Sequence, residues 1–292
     1  MQLVKKRISD QKMLSLIWKF LRAGIMEEGT FRHSLLGTPQ GGIVSPLLAN
    51  IYLHELDQYM ARYTGLSEGE RIKRKRRRLA NFLYVRYADD FVVLCDGTRA
   101  QAEALRQELH EFLKMELELE LSMEKTKVTH VSEGFEFLGY LIDRNIVGSG
   151  KWAPRSRIPT IAVEKVRHKI RKALSPRTYR DSVRMKILGL NGIIGGWCRY
   201  YQICSSPSYY FEKLEYETFW GIAHWLGRKR QMSIKRVMKS YRQGNTLGTG
   251  RTTLYKASDF KAKRHRLRAI TNPYTSEATA VQWENLDSLE EE

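Results

Sequence analysis

The sequence predicts an α+β protein in two parts, with strands and helices mixed in the first half and helices alone in the second. Three observations carry that reading. An apolar run from Phe82 to Cys95 is interrupted by Asp89-Asp90 and reads as two short strands around a tight turn. Apolar residues recur at helical spacing on both sides of it. The charge is also unevenly placed. Residues 1–150 hold 22 Lys and Arg against 20 Asp and Glu, residues 151–270 hold 28 against 6, and residues 271–292 hold none against 6. A near-neutral half joined to a strongly basic one, net +18 over 292 residues, points to a polyanionic partner, nucleic acid above all.

In chain order, residues 9–24 read as a helix capped by Ser9 or Asp10, with Met13, Leu14, Ile17, Trp18, Phe20 and Leu21 as a broad apolar face. Residues 25–36 look extended or hairpin-like. A turn-rich segment, Gly37 to Pro46, leads into a helix from Leu47 to about Tyr63, with Ser45 as its cap and Pro46 in its first turn. Residues 65–78 are polar and end in seven cations among eight residues, Arg71 to Arg78. A solvated loop is the plainer reading, a phosphate-facing segment the sharper one. After the Asp89-Asp90 hairpin comes an amphipathic helix over 98–121. Strands are expected at 125–131 and 135–142, and 143–160 is rich in Gly, Pro and Ser. Three helical patterns follow, marked by Val163–Leu174, Val183–Ile194 and Leu214–Leu226. Residues 243–292 weaken into basic and then acidic polar sequence. The domains expected are 1–143, a linker at 144–160, 161–242, and a polar tail at 243–292.

Three cysteines (Cys95, Cys198 and Cys204) without Cys-x-x-Cys spacing argue against a disulfide framework or a cysteine-rich zinc site. No apolar run approaches a membrane span, and Lys5, Lys6, Arg7, Lys12 and Lys19 interrupt any secretory pattern, so an unsecreted protein without a membrane partner is expected. Asp89-Asp90 has two readings. Asp favours turns, so an acidic β-turn is the bland one. The apolar flanks favour another, in which the turn is pressed against a core and a divalent cation such as Mg2+ neutralises the pair. No isolated Asp in a strand-like apolar setting precedes it.

The order of loop with two glycines, helix, Asp-Asp hairpin, helix, strand, glycine, strand resembles the palm of a reverse transcriptase, and most closely that of group II intron-encoded reverse transcriptase/maturase proteins. Tyr87-Ala88-Asp89-Asp90 resembles the family's catalytic tetrad. Thr38 to Asn50 resembles its template-and-nucleotide loop with the helix behind it. Leu121 to Thr126 and Phe135 to Tyr140 resemble the next two palm motifs, and Leu190 to Tyr201 resembles the thumb, or maturase-specific, region. The resemblance covers roughly residues 1–240.

It implies a partial palm followed by an α-helical thumb/maturase domain. It also implies RNA-directed DNA synthesis from dNTPs with Mg2+ (Mn2+ as an alternative), intron RNA and an RNA/DNA primer-template as partners, and a bacterial cytoplasmic or organellar setting. On that basis Asp89 and Asp90 would be metal ligands, Asp89 directly and Asp90 in support. Pro39, Gln40, Gly41, Gly42 and Ser45 would line the template/nucleotide loop. Tyr87 would pack under the primer end or simply fill the hairpin core. Lys125 would assist the leaving pyrophosphate or be an ordinary surface lysine. Lys165, Arg167, Lys169, Arg171, Lys172, Arg199, Arg228, Lys229 and Arg230 would face RNA phosphates. Trp197, Tyr200, Tyr201, Tyr209, Tyr210, Trp220 and Trp225 are stacking candidates, most of them expected in the core. The family's fingers motifs and a further catalytic Asp precede the part matched here. The expectation is therefore a truncated or split protein, weakly active or inactive alone, needing a fingers-and-palm fragment or a second copy. A non-catalytic RNA-binding maturase fragment or an inactive relic is the alternative.

Overall fold

The computed structural model describes residues 1–22, 25–27, 30–32, 44–146 and 150–263, and divides into two compact units, Met1–Leu138 and Gly139 onward. Helices and antiparallel strand pairs are mixed, as an α+β fold requires.

The first unit contains α1 (Gln2–Lys5), α2 (Gln11–Arg22), the short hairpin β1 (Ile25–Glu27) and β2 (Thr30–Arg32), α3 (Ser45–Thr64), α4 (Glu68–Arg76), the hairpin β3 (Phe82–Tyr87) and β4 (Asp90–Cys95), α5 (Arg99–Leu117) and β5 (Phe135–Phe137). Alternation along β3 turns Phe82, Tyr84 and Arg86 towards the helices. There Phe82 joins Leu56 and Met60 of α3 and Leu105, Leu109, Leu113 and Leu117 of α5 in one core. The four leucines of α5 fall at successive i+4 steps, which is why the helix buries a single stripe. Its start is fixed by a reciprocal cap, in which the Thr98 hydroxyl accepts from the Gln101 N–H and the Gln101 side chain accepts from the Thr98 N–H. A smaller cluster of Val4, Leu14 and Ile17 draws in Leu48 and Ile51 of α3.

Several expectations change here. The basic stretch 65–78 holds a helix, α4, because Ser67 and Glu70 form the same reciprocal cap and place acidic residues at its positive end. Of the broad face expected on α2, only Leu14 and Ile17 are buried, while Met13, Trp18 and Phe20 are about half exposed. Residues 125–131 form turn and coil instead of a strand. Ser45 is already the first helical residue of α3, with Val44 in the cap position.

The second unit begins with the hairpin β6 (Tyr140–Ile146) and β7 (Trp152–Arg157), so that β6 starts within the strand expected at 135–142 and β7 lies where a linker was expected. Asp143, almost wholly buried, accepts from Arg155 and Arg157 across that hairpin, so charges that read as solvated sequence make an internal tie. The helices α6 (Thr160–Ala173), α7 (Val183–Tyr201), α8 (Ser208–Arg230) and α9 (Ile234–Tyr241) follow. They enclose a core built on Val166, Ile187, Leu190, Ile194, Phe211, Ile222, Leu226 and Val237. The segment expected to be a polar tail continues this unit. Strands β8 (Arg242–Gln243), β9 (Thr246–Thr249) and β10 (Thr252–Thr253) bring Leu247, Leu254 and Ala257 into the same core. Asn191 on α7 secures them, donating to the Thr253 carbonyl at 2.8 Å and accepting from the Tyr255 N–H at 2.8 Å. Three short apolar anchors in a polar stretch carry little periodicity, so sequence pattern missed them.

Candidate functional site

Strands β3 and β4 pair in the register Phe82↔Cys95 to Tyr87↔Asp90, leaving Ala88-Asp89 as a two-residue turn. Such turns need positive φ at the first central position or at both, and Ala88 supplies φ +54°. The turn is not pressed against a core as the apolar flanks suggested. Asp89 and Asp90 are exposed, Tyr87 is 65% exposed, and Leu83, Val85 and Leu94 are nearly half exposed on the same outward face. Only the inward face packs. Among the described residues, neither carboxylate of the pair takes a hydrogen bond or an ion pair.

The position of the turn is set from the inward face. The Arg86 guanidinium donates Nε to Asp57 Oδ1 at 2.7 Å and Nη2 to Asp57 Oδ2 at 2.6 Å. Its Nη1 donates to the Ala88 carbonyl in the turn at 2.7 Å and to Asn50 Oδ1 at 2.9 Å. Asn50 and Asp57 lie two turns apart on α3 and so share its face. The Tyr84 hydroxyl also donates to Asp57, at 3.1 Å. Burial pushes the Asp57 carboxyl up, but the Arg86 guanidinium, with Tyr84 and His54, outweighs that and holds it below the usual carboxylate range. Burial and the Asp57 charge push the Tyr84 phenol up, so it stays a donor. None of Asn50, Asp57 and Arg86 was assigned a role from the sequence. The available signal was a lone arginine at the inward parity of an apolar strand.

Lys125 is exposed in a turn beyond α5, and its ammonium has no ion-pair partner among the described residues. Pro39, Gln40, Gly41 and Gly42 lie outside the described residues.

The basic candidates of the second unit separate into two groups. Lys165, Lys169, Arg171 and Lys172 on α6 and Arg228 and Arg230 on α8 are exposed. Arg199 is exposed too, with its guanidinium 5.7 Å from the Phe260 ring. Arg167 instead bonds Glu164 and Glu217, each at 2.7 Å, and Lys229 donates to the Tyr179 carbonyl; both are internal cross-ties. Of the aromatic candidates, Trp225 and Tyr201 are core, whereas Tyr200, Tyr209 and Trp220 are exposed. Cys198 and Cys204 are buried thiols, pushed by that burial up to about 12 and about 11. Among the described residues no three His, Cys, Asp or Glu side chains gather as a metal cluster, and no helix is long and apolar enough to cross a membrane.

Comparison with known proteins falls on these same two regions. Residues 3–142 match the family model described as reverse transcriptase (RNA-dependent DNA polymerase), and residues 163–242 match the group II intron maturase-specific domain. Protein YkfC of Escherichia coli is 42% identical over 175 residues, covering 54% of this chain and 46% of that protein. Group II intron-encoded protein LtrA of Lactococcus lactis is 36% identical over 184 residues, covering 47% of this chain and 31% of that protein. Nuclear intron maturase 1 of Arabidopsis thaliana is 27% identical over 132 residues, covering 36% and 18%. The chain thus spans less than half the length of these relatives. By these matches it carries a reverse transcriptase region followed by a group II intron maturase-specific region, and it is homologous to intron-encoded proteins such as LtrA.

Proposed function

We propose that the protein serves as an RNA-directed DNA polymerase and maturase of a group II intron, with Asp89 and Asp90 holding Mg2+ and the helical unit holding intron RNA. The observation that carries this is the β3–β4 turn, which presents two adjacent exposed carboxylates, uncommitted among the described residues, on a backbone clamped by Arg86. The pair fits the ion. Mg2+ takes oxygen ligands and is usually bound by one or two carboxylates, with water and substrate phosphates completing the shell. Further ligands come from those sources or from residues outside those described.

When bound, divalent ions stabilise the charge on the attacking and leaving oxygens of nucleotidyl transfer, and Mn2+ can serve in the same way. The chain's own residues do the positioning. Arg86 holds the turn, and Tyr87 offers an exposed ring beside Asp90 for the primer end. Lys125 is available to protonate the leaving pyrophosphate. Residues 39–42, just ahead of α3, meet template and dNTP. The exposed cations of α6 and α8 meet RNA phosphates, a contact that weakens steeply with salt. The bacterial and mitochondrial relatives support a cytoplasmic or organellar setting.

Primer extension on an RNA template with Mg2+ tests this. The full chain and its Asp89→Ala/Asp90→Ala variant are assayed alone and mixed with a fingers-and-palm fragment of a relative. Synthesis that disappears in the variant, alone or in the mixture, is expected. Equal synthesis by the variant sinks the metal-ligand assignment. No synthesis in either setting, with a control polymerase active, favours an RNA-binding maturase fragment.

A further inference from the structure

Helix α8 has two unlike sides. Phe211, Leu214, Ile222, Trp225 and Leu226 fill the core, so its packing needs are met. Along another face stand Tyr209, Tyr216, Trp220 and His224, which are the same residue and those 7, 11 and 15 positions on, and hence one stripe. Tyr209 is 65% exposed, Tyr216 68% and Trp220 37%. The Tyr216 and Trp220 ring centres lie 6.4 Å apart, and those of Trp220 and His224 lie 6.3 Å apart. At 1.5 Å per residue the stripe runs about 22 Å. An aromatic row of that length, left in water by a helix that already has a core face, marks a contact surface.

Beside the stripe, α6 and α8 enclose an open groove of about 620 Å³, with His224, Arg171 and Arg228 among its walls. Gly221 helps to keep it open, since a Cβ there would lie 2.9 Å from Leu174 Cδ1. The Arg228 guanidinium has no partner among the described residues, and Arg171 has only Glu164 at 3.6 Å. Among the described residues that line the groove the one acid, Glu217, is neutralised by Arg167 at 2.7 Å.

We infer that this α6–α8 face binds unpaired RNA, its bases stacking on Tyr216, Trp220 and His224 and its phosphates lying on Arg171 and Arg228. The inference rests on the reading of the helical unit as RNA-binding, and it adds where single-stranded bases go. Charge selects the occupant. Residues 151–270 carry 28 cations against 6 acids, so a second copy would be repelled whereas a polyanion is drawn in. The rings select single strands over duplex, because an A-form helix keeps its base faces stacked on one another while unpaired bases splay onto aromatic side chains.

The test is fluorescence anisotropy with the full chain, an unstructured 15-nucleotide RNA and a duplex of equal length, across a KCl series. The rings are exposed, so Tyr216→Ala/Trp220→Ala should melt as wild type. It should weaken single-strand binding at least about ten-fold, with the salt slope and duplex affinity unchanged. Trp220→Phe should restore most of the loss. Arg171→Gln/Arg228→Gln should lower the single-strand salt slope by about 1.4. Wild-type affinity in the Tyr216→Ala/Trp220→Ala variant overturns the inference while leaving RNA binding by the unit intact. So does equal loss on duplex, or a variant that loses only concentration-dependent self-association. If the wild-type chain binds neither RNA, the RNA reading of the helical unit fails and takes this inference with it.

Discussion

Arg86 meets Asp57 as a two-pronged pair, Nε and Nη2 on the two carboxylate oxygens at 2.7 and 2.6 Å, and spends its remaining nitrogen on the Ala88 carbonyl and Asn50. One side chain thereby joins helix α3 to the backbone immediately before Asp89-Asp90. Fork geometry is what lets arginine do this, since lysine offers a single charged point.

Arg86→Ala should lower the opening free energy of the β3–β4 hairpin by about 2–3 kcal/mol. That is less than for a fully buried pair, because Asp57 keeps some contact with water. Hydrogen exchange of the hairpin amides measures it. Arg86→Lys should lose more than half as much, and unchanged protection in both variants would remove Arg86 from its structural role.

The same pair sets a pH response. The Asp57 carboxyl lies below its ordinary value of 3.8 in the folded chain, so the unfolded chain takes up the proton first. The pair's contribution is therefore complete above that ordinary value and is lost as the pH falls further, through the folded one. Asp143, held low by Arg155 against the opposing effect of burial and with Arg157 assisting, follows the same sign in the other unit. Acid titration of the wild type and Asp57→Asn, followed by hairpin amide exchange, should show a low-pH loss that the variant lacks.

Ala88 adopts φ +54°, a conformation that costs a residue with a Cβ about 1 kcal/mol. Ala88→Gly should therefore stabilise the hairpin by no more than about 0.5 kcal/mol, since the extra freedom of the unfolded chain takes back roughly 0.5 kcal/mol or more of that cost, and Ala88→Val should destabilise it by more than that. Equal exchange protection in all three proteins would show that the turn is not strained.

Asn191→Leu should leave α7 folded and release the segment after it. The Tyr255 N–H loses its acceptor and the Thr253 carbonyl its donor. The Tyr255 amide should exchange about ten-fold or more faster, as expected for the loss of roughly 1–2 kcal/mol of hydrogen bonding. Unaltered protection would mean that Leu247 and Leu254 alone hold the segment.

What could be read from the sequence follows from physical range. Period and caps are local, so α3, α5 and α6 to α8 were legible, while the eight-residue α9 was too short to be read, and the hairpin was legible because its turn sits where two apolar runs meet. Tyr84 and Arg86 alternate with Leu83 and Val85, but parity alone does not say which face is covered. The flanks therefore suggested a buried pair where the chain exposes one. The ties of Asp143 to Arg155 and of Arg167 to Glu217 went unread, Arg167 being assigned to RNA phosphates, because an ion pair across 12 or 50 residues leaves no periodic trace. At α4 the seven cations from Arg71 to Arg78 concealed a Ser67–Glu70 cap that was itself legible, an instance of charge outweighing local grammar.

Helix α3 has a mechanical consequence. Its first residue, Ser45, follows directly on the segment that would receive template and nucleotide, and its residues Asn50 and Asp57 grip the arginine that fixes the aspartate turn. On the proposed roles the helix would act as a lever between the two parts of the site. A nudge at its leading end would reach the aspartate turn through the Arg86 linkage, so substrate docking and metal placement would be geared together.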